Sequence, residues 1–311
     1  MVLDPPLPKP LFARLTVIGI GLIGSSILRA ALGRRLAEEV VAYDRAPEVR
    51  TRAEALGLAD RVAASPTEAV AGADLIVLCV PVGAMGAAAE QIGPAVAADA
   101  IVSDVGSVKA SVARALAAHI PGHAHIIPAH PVAGTEYSGP DAGFATLFKN
   151  RWCILTPPEG VNPAALERLE DFWAALGANV EVMTAERHDL VLAITSHVPH
   201  LIAYNIVGTA ADLETVTQSE VIKYSAGGFR DFTRIAASDP TMWRDIFLNN
   251  REAVIEVLGR FTEDLIALQR AIRWEQGDAL FDLFTRTRAI RRSIIEQGQE
   301  TAAPDFGRAH D

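Results

Sequence analysis

The 311-residue sequence predicts an α/β fold: an N-terminal, doubly wound, mostly parallel sheet followed by an all-α C-terminal domain. Three observations carry that reading. Short apolar runs rich in β-branched residues alternate with helical spacing through the first half, as parallel strands covered on both faces do. A GxGxxG pattern sits directly between the first such run and the first helix. Beyond about Thr184 the strand signals stop and apolar residues recur at three- and four-residue steps.

The chain opens on MVLDPPLPKP, a proline-rich extension taken as residues 1–13. RLTVIGI is the first strand. LIGSSILRAALGRR follows as a helix with Ile23, Ile27, Ala30 and Ala31 on one side. The apolar stretch 15–32 is not read as a signal peptide or membrane span, because its flank is poorly basic, its glycines are spaced and Arg29 interrupts it. EVVAYD is the second strand. ADLIVLCVP, AIVSDV and HAHIIPA are later strands, with alanine-rich helices between them. NRWCILTPPEG and NVEVMTAERHD are expected to extend or finish the same sheet, closing a Rossmann-type dinucleotide-binding domain over 14–183. AERHDLVLAITSHVPHLIAYNIVGTAADL then reads as one long helix, with Pro199 as the place for a kink. SDPTMWRDIFLNNREAVIEVLGRFTEDLIALQRAI reads as a second, with Asp239 as N-cap and Pro240 in its first turn. Along it Trp243, Phe247, Asn250, Val254, Val257, Phe261, Leu265, Leu268 and Ile272 recur at helical steps. A helix of that length needs a partner, so a homodimer through a 184–297 helical domain is expected, with 298–311 as a polar tail.

Half of the residues are hydrophobic and 21% are charged, a globular profile. The net charge of −10 argues against a nucleic-acid partner, and no membrane partner is expected. Cys79 and Cys153 stand in apolar runs and read as buried strand thiols. Without a CxxC or Cys/His neighbourhood they point to no metal and to a reducing, cytoplasmic location.

The chemistry-bearing residues fall at the ends of the strands. Gly19, Gly21 and Gly24, with Ile20, Leu22 and Ile23 between them, suit a tight turn, a close approach to a pyrophosphate and helix packing. Asp44 ends the second strand and is placed for adenosine ribose hydroxyls, which favours NAD. Arg45 follows it and could receive a 2′-phosphate, so NADP is the less favoured cofactor. Val80, Pro81, Val82 and Met85 are expected beside the cofactor, the alternative being a plain strand-to-helix turn. Ser107 is either the N-cap of a helix or a hydroxyl at the nicotinamide end; Lys109 reads as a solvated first-turn residue. His130 follows an apolar strand between Pro128 and Pro131, ahead of a polar, glycine-rich loop. A histidine mounted there can take a proton from an alcohol while hydride leaves the adjoining carbon. His197 and His200 lie on one helical face beside Ser196 and read as a polar pocket wall, since zinc would need further ligands. YSAGGFRDFTRIAASDP, with Gly227 and Gly228, groups Arg230, Asp231 and Arg234; these are surface charge, or an arginine held by Asp231 and aimed at a substrate carboxylate.

GIGLIGSS, SDVGSVK, HPVAGTEYSG, SHVPH and GGFRDFTRIAASDPTMWRDI, in that order from Gly19 to Ile246, resemble the prephenate/arogenate (cyclohexadienyl) dehydrogenases of tyrosine biosynthesis. The resemblance implies NAD-dependent oxidative decarboxylation of prephenate to 4-hydroxyphenylpyruvate, of L-arogenate to L-tyrosine, or of both. It implies that His130 takes the ring hydroxyl proton, that Ser107 bonds this histidine and the substrate, and that Arg234 binds a substrate carboxylate. Asp231 and Glu136 match gating ion-pair partners of that arginine. Thr135, Ser196, His197, His200, Gly227 and Trp243 match pocket positions. No chorismate mutase region is expected before Arg14, and no ACT-type regulatory domain after about Gln297. Two rival readings are a β-hydroxyacid or imine-reductase-like dehydrogenase, for which Lys223 is the candidate lysine, and an NAD-binding module without turnover.

Overall fold

A computed structural model describes residues 5, 7, 9–135, 137–217 and 227–296. Strands β1 (Phe12–Ile18), β2 (Ala37–Tyr43), β3 (Arg61–Val62), β4 (Leu75–Leu78), β5 (Ile101–Asp104) and β6 (His125–Ile126) form a parallel sheet in the order β3-β2-β1-β4-β5-β6. Helices α1 (Leu22–Arg34), α2 (Pro47–Ala55), α3 (Pro66–Val70), α4 (Met85–Ile92) and α5 (Ala110–Ala117) connect them. Every residue of β4 and β5 is buried, because both faces of these central strands are covered. One core lies under α1 and contains Leu15, Val17, Ile27 and Leu28; the other lies under α3, α4 and α5 and contains Ile76, Leu78, Ile92 and Leu116. The strand order reverses between β1 and β4, which opens a crevice at their carboxyl ends.

NRWCILTPPEG and NVEVMTAERHD do not extend that sheet. β7 (Ala129–Pro131), β8 (Trp152–Leu155) and β9 (Asn179–Val182) form a separate three-stranded sheet, antiparallel between β7 and β8 and parallel between β8 and β9. The cause is local. Ile127 still donates to Val102 of β5, but Pro128 has no N–H to continue the ladder and its carbonyl instead accepts from Thr156 beyond β8. Helix α6 (Pro163–Ala175) covers this second sheet with fully buried Leu169, Phe172 and Trp173. Each such side chain contributes about 1.5–3 kcal/mol by burial.

The long helix expected after Thr184 is interrupted where its proline predicts. α7 (Ala185–Leu192) passes through a π turn, Ala193–His197, into α8 (Val198–Thr217). A proline has no N–H to return to the carbonyl four residues back, which here belongs to Thr195, inside that turn. The stretch Ala185–Leu213 is long and apolar enough to cross a membrane, yet its His188, Asp189 and His197 are buried in polar contacts with this fold. Asp239 accepts a hydrogen bond from the Met242 amide and caps helix Pro240–Asn249, as expected. The single helix expected to follow is two, because Asn250 leaves helical geometry (φ −110°, ψ 32°) before helix Arg251–Arg273. Its buried amide serves two acceptors described below.

The chain divides into two compact units, 1–254 and 255–311, and the division falls inside helix Arg251–Arg273. In the second unit this helix ends with Arg270 stacked over the Trp274 ring at 4.4 Å, and helix Gly277–Glu296 follows. Leu265, Ile266, Ile272, Phe281 and Phe284 are exposed along these two helices.

Candidate active site

The glycine loop builds a cradle for an anion. Gly19 has φ +98°, and a Cβ there would stand 2.4 Å from the Cys79 carbonyl oxygen. A Cβ on Gly24 would stand 2.0 Å from the Gly19 carbonyl oxygen, so only glycine lets α1 come this close to β1. A Cβ on Gly21 would meet nothing within 4 Å, and no side chain caps α1 there, so its first amides are free for phosphate oxygens. Asp44 accepts from the Ile20 and Ala46 amides, each at 2.9 Å, which fixes the carboxylate at the tip of β2. A cavity of about 330 Å³ runs past these groups, walled by Gly19, Gly21, Asp44, Arg45, Val80 and Pro81 among others. The residues present therefore fit a dinucleotide.

The other expected cofactor residues do not wall this cavity. Ile20 is buried in the core, Leu22 and Ile23 are half-buried in the first turn of α1, and Gly24 is beneath the loop. Met85 is fully buried in the core under α4 and is not on the cavity wall; Val82 packs against Trp243. Cys79 lies just past β4, half-buried on that wall, whereas Cys153 is buried in β8. Burial pushes both thiols up, which disfavours the thiolate form.

His130 sits in β7, 7% exposed. The backbone of the preceding residue, Ala129, is held by an ion pair that substitutes for the missing sheet neighbour. Asp104, the last residue of β5, accepts from the Ala129 amide at 3.2 Å, and Lys109 donates to the Ala129 carbonyl at 2.6 Å. Lys109 also pairs with Asp104, which accepts in addition from the Gly106 amide at 2.7 Å. Lys109 is thus not a solvated first-turn residue: it and Asp104 are both fully buried. Burial pushes the Asp104 carboxyl up and the Lys109 ammonium down, and their mutual attraction opposes both shifts.

His130 Nδ1 lies 2.8 Å from His188 Nε2, and His188 Nδ1 lies 2.8 Å from Asp189 Oδ1. Asp189 also accepts from the amides of Lys109 at 2.8 Å and Ala110 at 2.9 Å, so it caps α5. Ser107 is therefore not the cap. Nor does it bond His130, whose ring partner is His188; Ser107 stands half-buried next to Val108, which packs on Trp243. Burial holds His130 well below the usual imidazole range, with further lowering by the charges of His188, Lys109 and His197. Burial lowers His188 too, against the pull of Asp189.

The helical half supplies a second wall. Asn250 Nδ2 donates to the Asp189 carbonyl at 2.8 Å and lies 3.0 Å from His197 Nδ1. His197 is fully buried and lowered to about 4, chiefly by burial and then by the His188 charge. Trp243 meets the His197 ring edge-on at 6.1 Å and stacks on His200 at 3.7 Å. Trp243 Nε1 and His197 Nε2 are buried without a normal hydrogen bond among the described residues. His200 donates from Nδ1 to the Ser196 carbonyl at 2.8 Å; burial lowers it, and the Arg234 guanidinium lowers it further. Arg234 is exposed and close enough to act on His200. Thr135 is half-buried and accepts from the Tyr137 amide at 3.3 Å. Gly227 opens helix Gly227–Thr233. Asp231 on that helix is exposed and lies 3.5 Å from Arg230, so among the described residues its ion pair is with Arg230. Glu136 and Lys223 lie outside the described residues.

The structure thus brings His130, His197, His200, Trp243 and Arg234 into a chain of neighbours. Sequence reasoning missed His188, Asp189, Asn250, Asp104 and the burial of Lys109. The available signal was an adjacent His-Asp pair opening the otherwise apolar HDLVLAI run.

Two family descriptions match the chain: the nucleotide-binding domain of prephenate dehydrogenase over residues 30–182 and its dimerization domain over residues 184–286. A cyclohexadienyl dehydrogenase of Zymomonas mobilis is 44% identical over 283 residues, 91% of this chain and 96% of that one. A prephenate dehydrogenase of Bacillus subtilis is 30% identical over 289 residues, 93% of this chain and 77% of that one. The solved prephenate dehydrogenase of A. aeolicus, in complex with hydroxyphenyl propionate and NAD+, has a TM-score of 0.85 at 31% identity, covering 93% of this chain and 99% of that one. The Synechocystis arogenate dehydrogenase structure has a TM-score of 0.78 at 27% identity, covering 90% and 99%.

Proposed function

The chain belongs to the prephenate dehydrogenase family, and from that premise we propose that it catalyses the NAD-dependent oxidative decarboxylation of prephenate, of L-arogenate, or of both. The observation that carries this reading is the mounting of His130. The backbone of the preceding Ala129 is clamped by Asp104 and Lys109, the His130 ring is backed by His188, and the His197–Trp243–His200 wall leads from it to Arg234.

NAD, when bound, supplies the hydride acceptor. His130, neutral because burial disfavours its charged form, takes the proton of the ring hydroxyl as the carbon beside it is oxidised. The resulting ketone is conjugated to the ring, and loss of carbon dioxide makes the ring aromatic. Arg234 binds a carboxylate of the substrate, with Asp231 and Glu136 setting access to it. Thr135, Ser196, His197, His200, Gly227 and Trp243 line the substrate pocket, and Ser107 stands at its nicotinamide end. Gly19, Gly21, Asp44 and Val80 hold the dinucleotide.

The functional division runs at 183/184, between a dinucleotide-binding region from residue 14 and a helical region ending near 297; the two family matches meet there and support it. The helical region pairs two copies of the chain, which the dimerization-domain match and the exposed apolar residues of its last two helices support. The location is the cytoplasm, in keeping with two free cysteines.

The reading is tested by following NADH formation with prephenate and with L-arogenate in parallel, and again with NADP in place of NAD. Reduction of NAD by at least one substrate is expected; none with either would refute the assignment.

A further inference from the structure

Resting on the reaction just proposed, we propose that His188 is a positioning residue that fixes which nitrogen of His130 carries the proton, leaving His130 Nε2 as the free lone pair that meets the substrate hydroxyl.

Asp189 already accepts from two backbone amides, at 2.8 and 2.9 Å, and an ionised carboxylate has nothing to donate. The 2.8 Å contact from His188 Nδ1 to Asp189 must therefore be an N–H donated by the histidine. A neutral His188 protonated on Nδ1 has a lone pair on Nε2. That nitrogen lies 2.8 Å from His130 Nδ1, so His130 donates there. Its own single proton is thereby spent, and Nε2 is left unprotonated. The reverse direction would set the His188 Nδ1 lone pair against a carboxylate oxygen. A doubly protonated His188 would avoid that clash, but it would place a second cationic group beside Lys109 in a fully buried site.

Nε2-protonated imidazole is the form that could not act as base at this position. When the substrate O–H bond breaks, an N–H bond forms at Nε2 and the oxygen keeps the electron pair that becomes the carbonyl bond. The positive charge on the ring is then met through its Nδ1–H by His188, and behind it by Asp189. Because Asp189 also caps α5, replacing it would confound position with folding, and the informative variants are at His188.

The test combines histidine nitrogen NMR with kinetics on the full-length protein, His130 being assigned by difference with His130→Asn. In the wild type His130 is expected to carry its proton on Nδ1 and to show an unprotonated Nε2. His188→Leu, which keeps bulk but offers no acceptor, is expected to move the proton to Nε2 and to lower kcat about 100-fold, with NAD and substrate affinities within about threefold. His188→Gln, which retains an acceptor, is expected to recover kcat to within about tenfold of wild type. A wild-type His130 protonated on Nε2, a His188→Leu variant with unchanged kcat, or a glutamine variant as impaired as the leucine one would overturn the proposal. If His188→Leu does not fold, the wild-type tautomer and the glutamine variant still decide. A wild type inert toward both substrates would instead sink the reaction assignment, and the tautomer measurement would stand apart from it.

Discussion

The two ends of the site are built on opposite physical terms. At the His130 end the polar groups behind the ring are buried and paired: Asp104, Lys109, His188 and Asp189 are at most 5% exposed, and Asn250 ties them to His197. At the Arg234 end the charges are exposed, and Asp231 meets Arg230 at 3.5 Å with both side chains more than three-quarters in solvent. A base must stand within about 2.6–3.2 Å of the proton it removes, which demands a rigid mounting. A guanidinium that holds a carboxylate acts by charge and a forked donor set, and it tolerates motion. The same molecule therefore spends buried polar groups, which are expensive to desolvate, only where distance decides the outcome.

The largest expected effect breaks the rigid end. Lys109→Met leaves Asp104 buried without its cation and frees the Ala129 carbonyl, and it should cost about 3–5 kcal/mol of folding free energy by denaturant titration. The double variant Lys109→Met/Asp104→Leu should regain much of that loss, since an apolar pair avoids the stranded charge; no recovery would mean the clamp on Ala129, not the ion pair, holds the strand. Next, Arg234→Ala should raise the substrate KM about 10- to 100-fold, the worth of a charged hydrogen bond, with NAD affinity unchanged. A matching loss of NAD affinity would remove Arg234 from the substrate end.

Acid should separate the two ends further. His197 is held at about 4 in the fold against 6.5 in the open chain, and His130 and His188 are also lowered. The unfolded chain therefore binds protons first as pH falls. Stability should be full above about pH 6.5 and decline from there toward pH 4. A thermal midpoint that stays flat over that window would show that these histidines are not buried neutral in solution. The smallest effect is expected at Asp231→Asn, where an exposed ion pair is removed: stability should stay within measurement error, and only the substrate KM should respond, by a few-fold.

How much of this was legible in the sequence follows the same divide. The glycine loop, Asp44, His130 and the Asp239 cap are local patterns, each defined by neighbours within a few residues; the loop, Asp44 and the cap take the expected geometry, while His130 lies inside β7 of the second sheet and not after the last strand of the first. The network behind His130 was not legible because its members are 58 residues apart in His130 and His188, and 80 apart in Lys109 and Asp189. Lys109 follows a turn and looks solvated; only the end of β5 beside it reveals that a carboxylate waits there. The single long helix failed at Asn250 because its amide finds Asp189 and His197, a tertiary reward that helix spacing does not encode. The second sheet departs from the single sheet expected because Pro128, which has no N–H to give, ends the pairing with β5.

The account is tested most directly by one steady-state comparison of His130→Ala and Arg234→Ala with the wild type, monitoring NADH formation across substrate concentration. His130→Ala should lose about 100- to 10,000-fold in kcat with NAD affinity intact, while Arg234→Ala should lose mainly in KM. If His130→Ala kept its kcat, or if the two variants failed in the same parameter, a rigid base and a compliant carboxylate anchor serving one substrate would be contradicted.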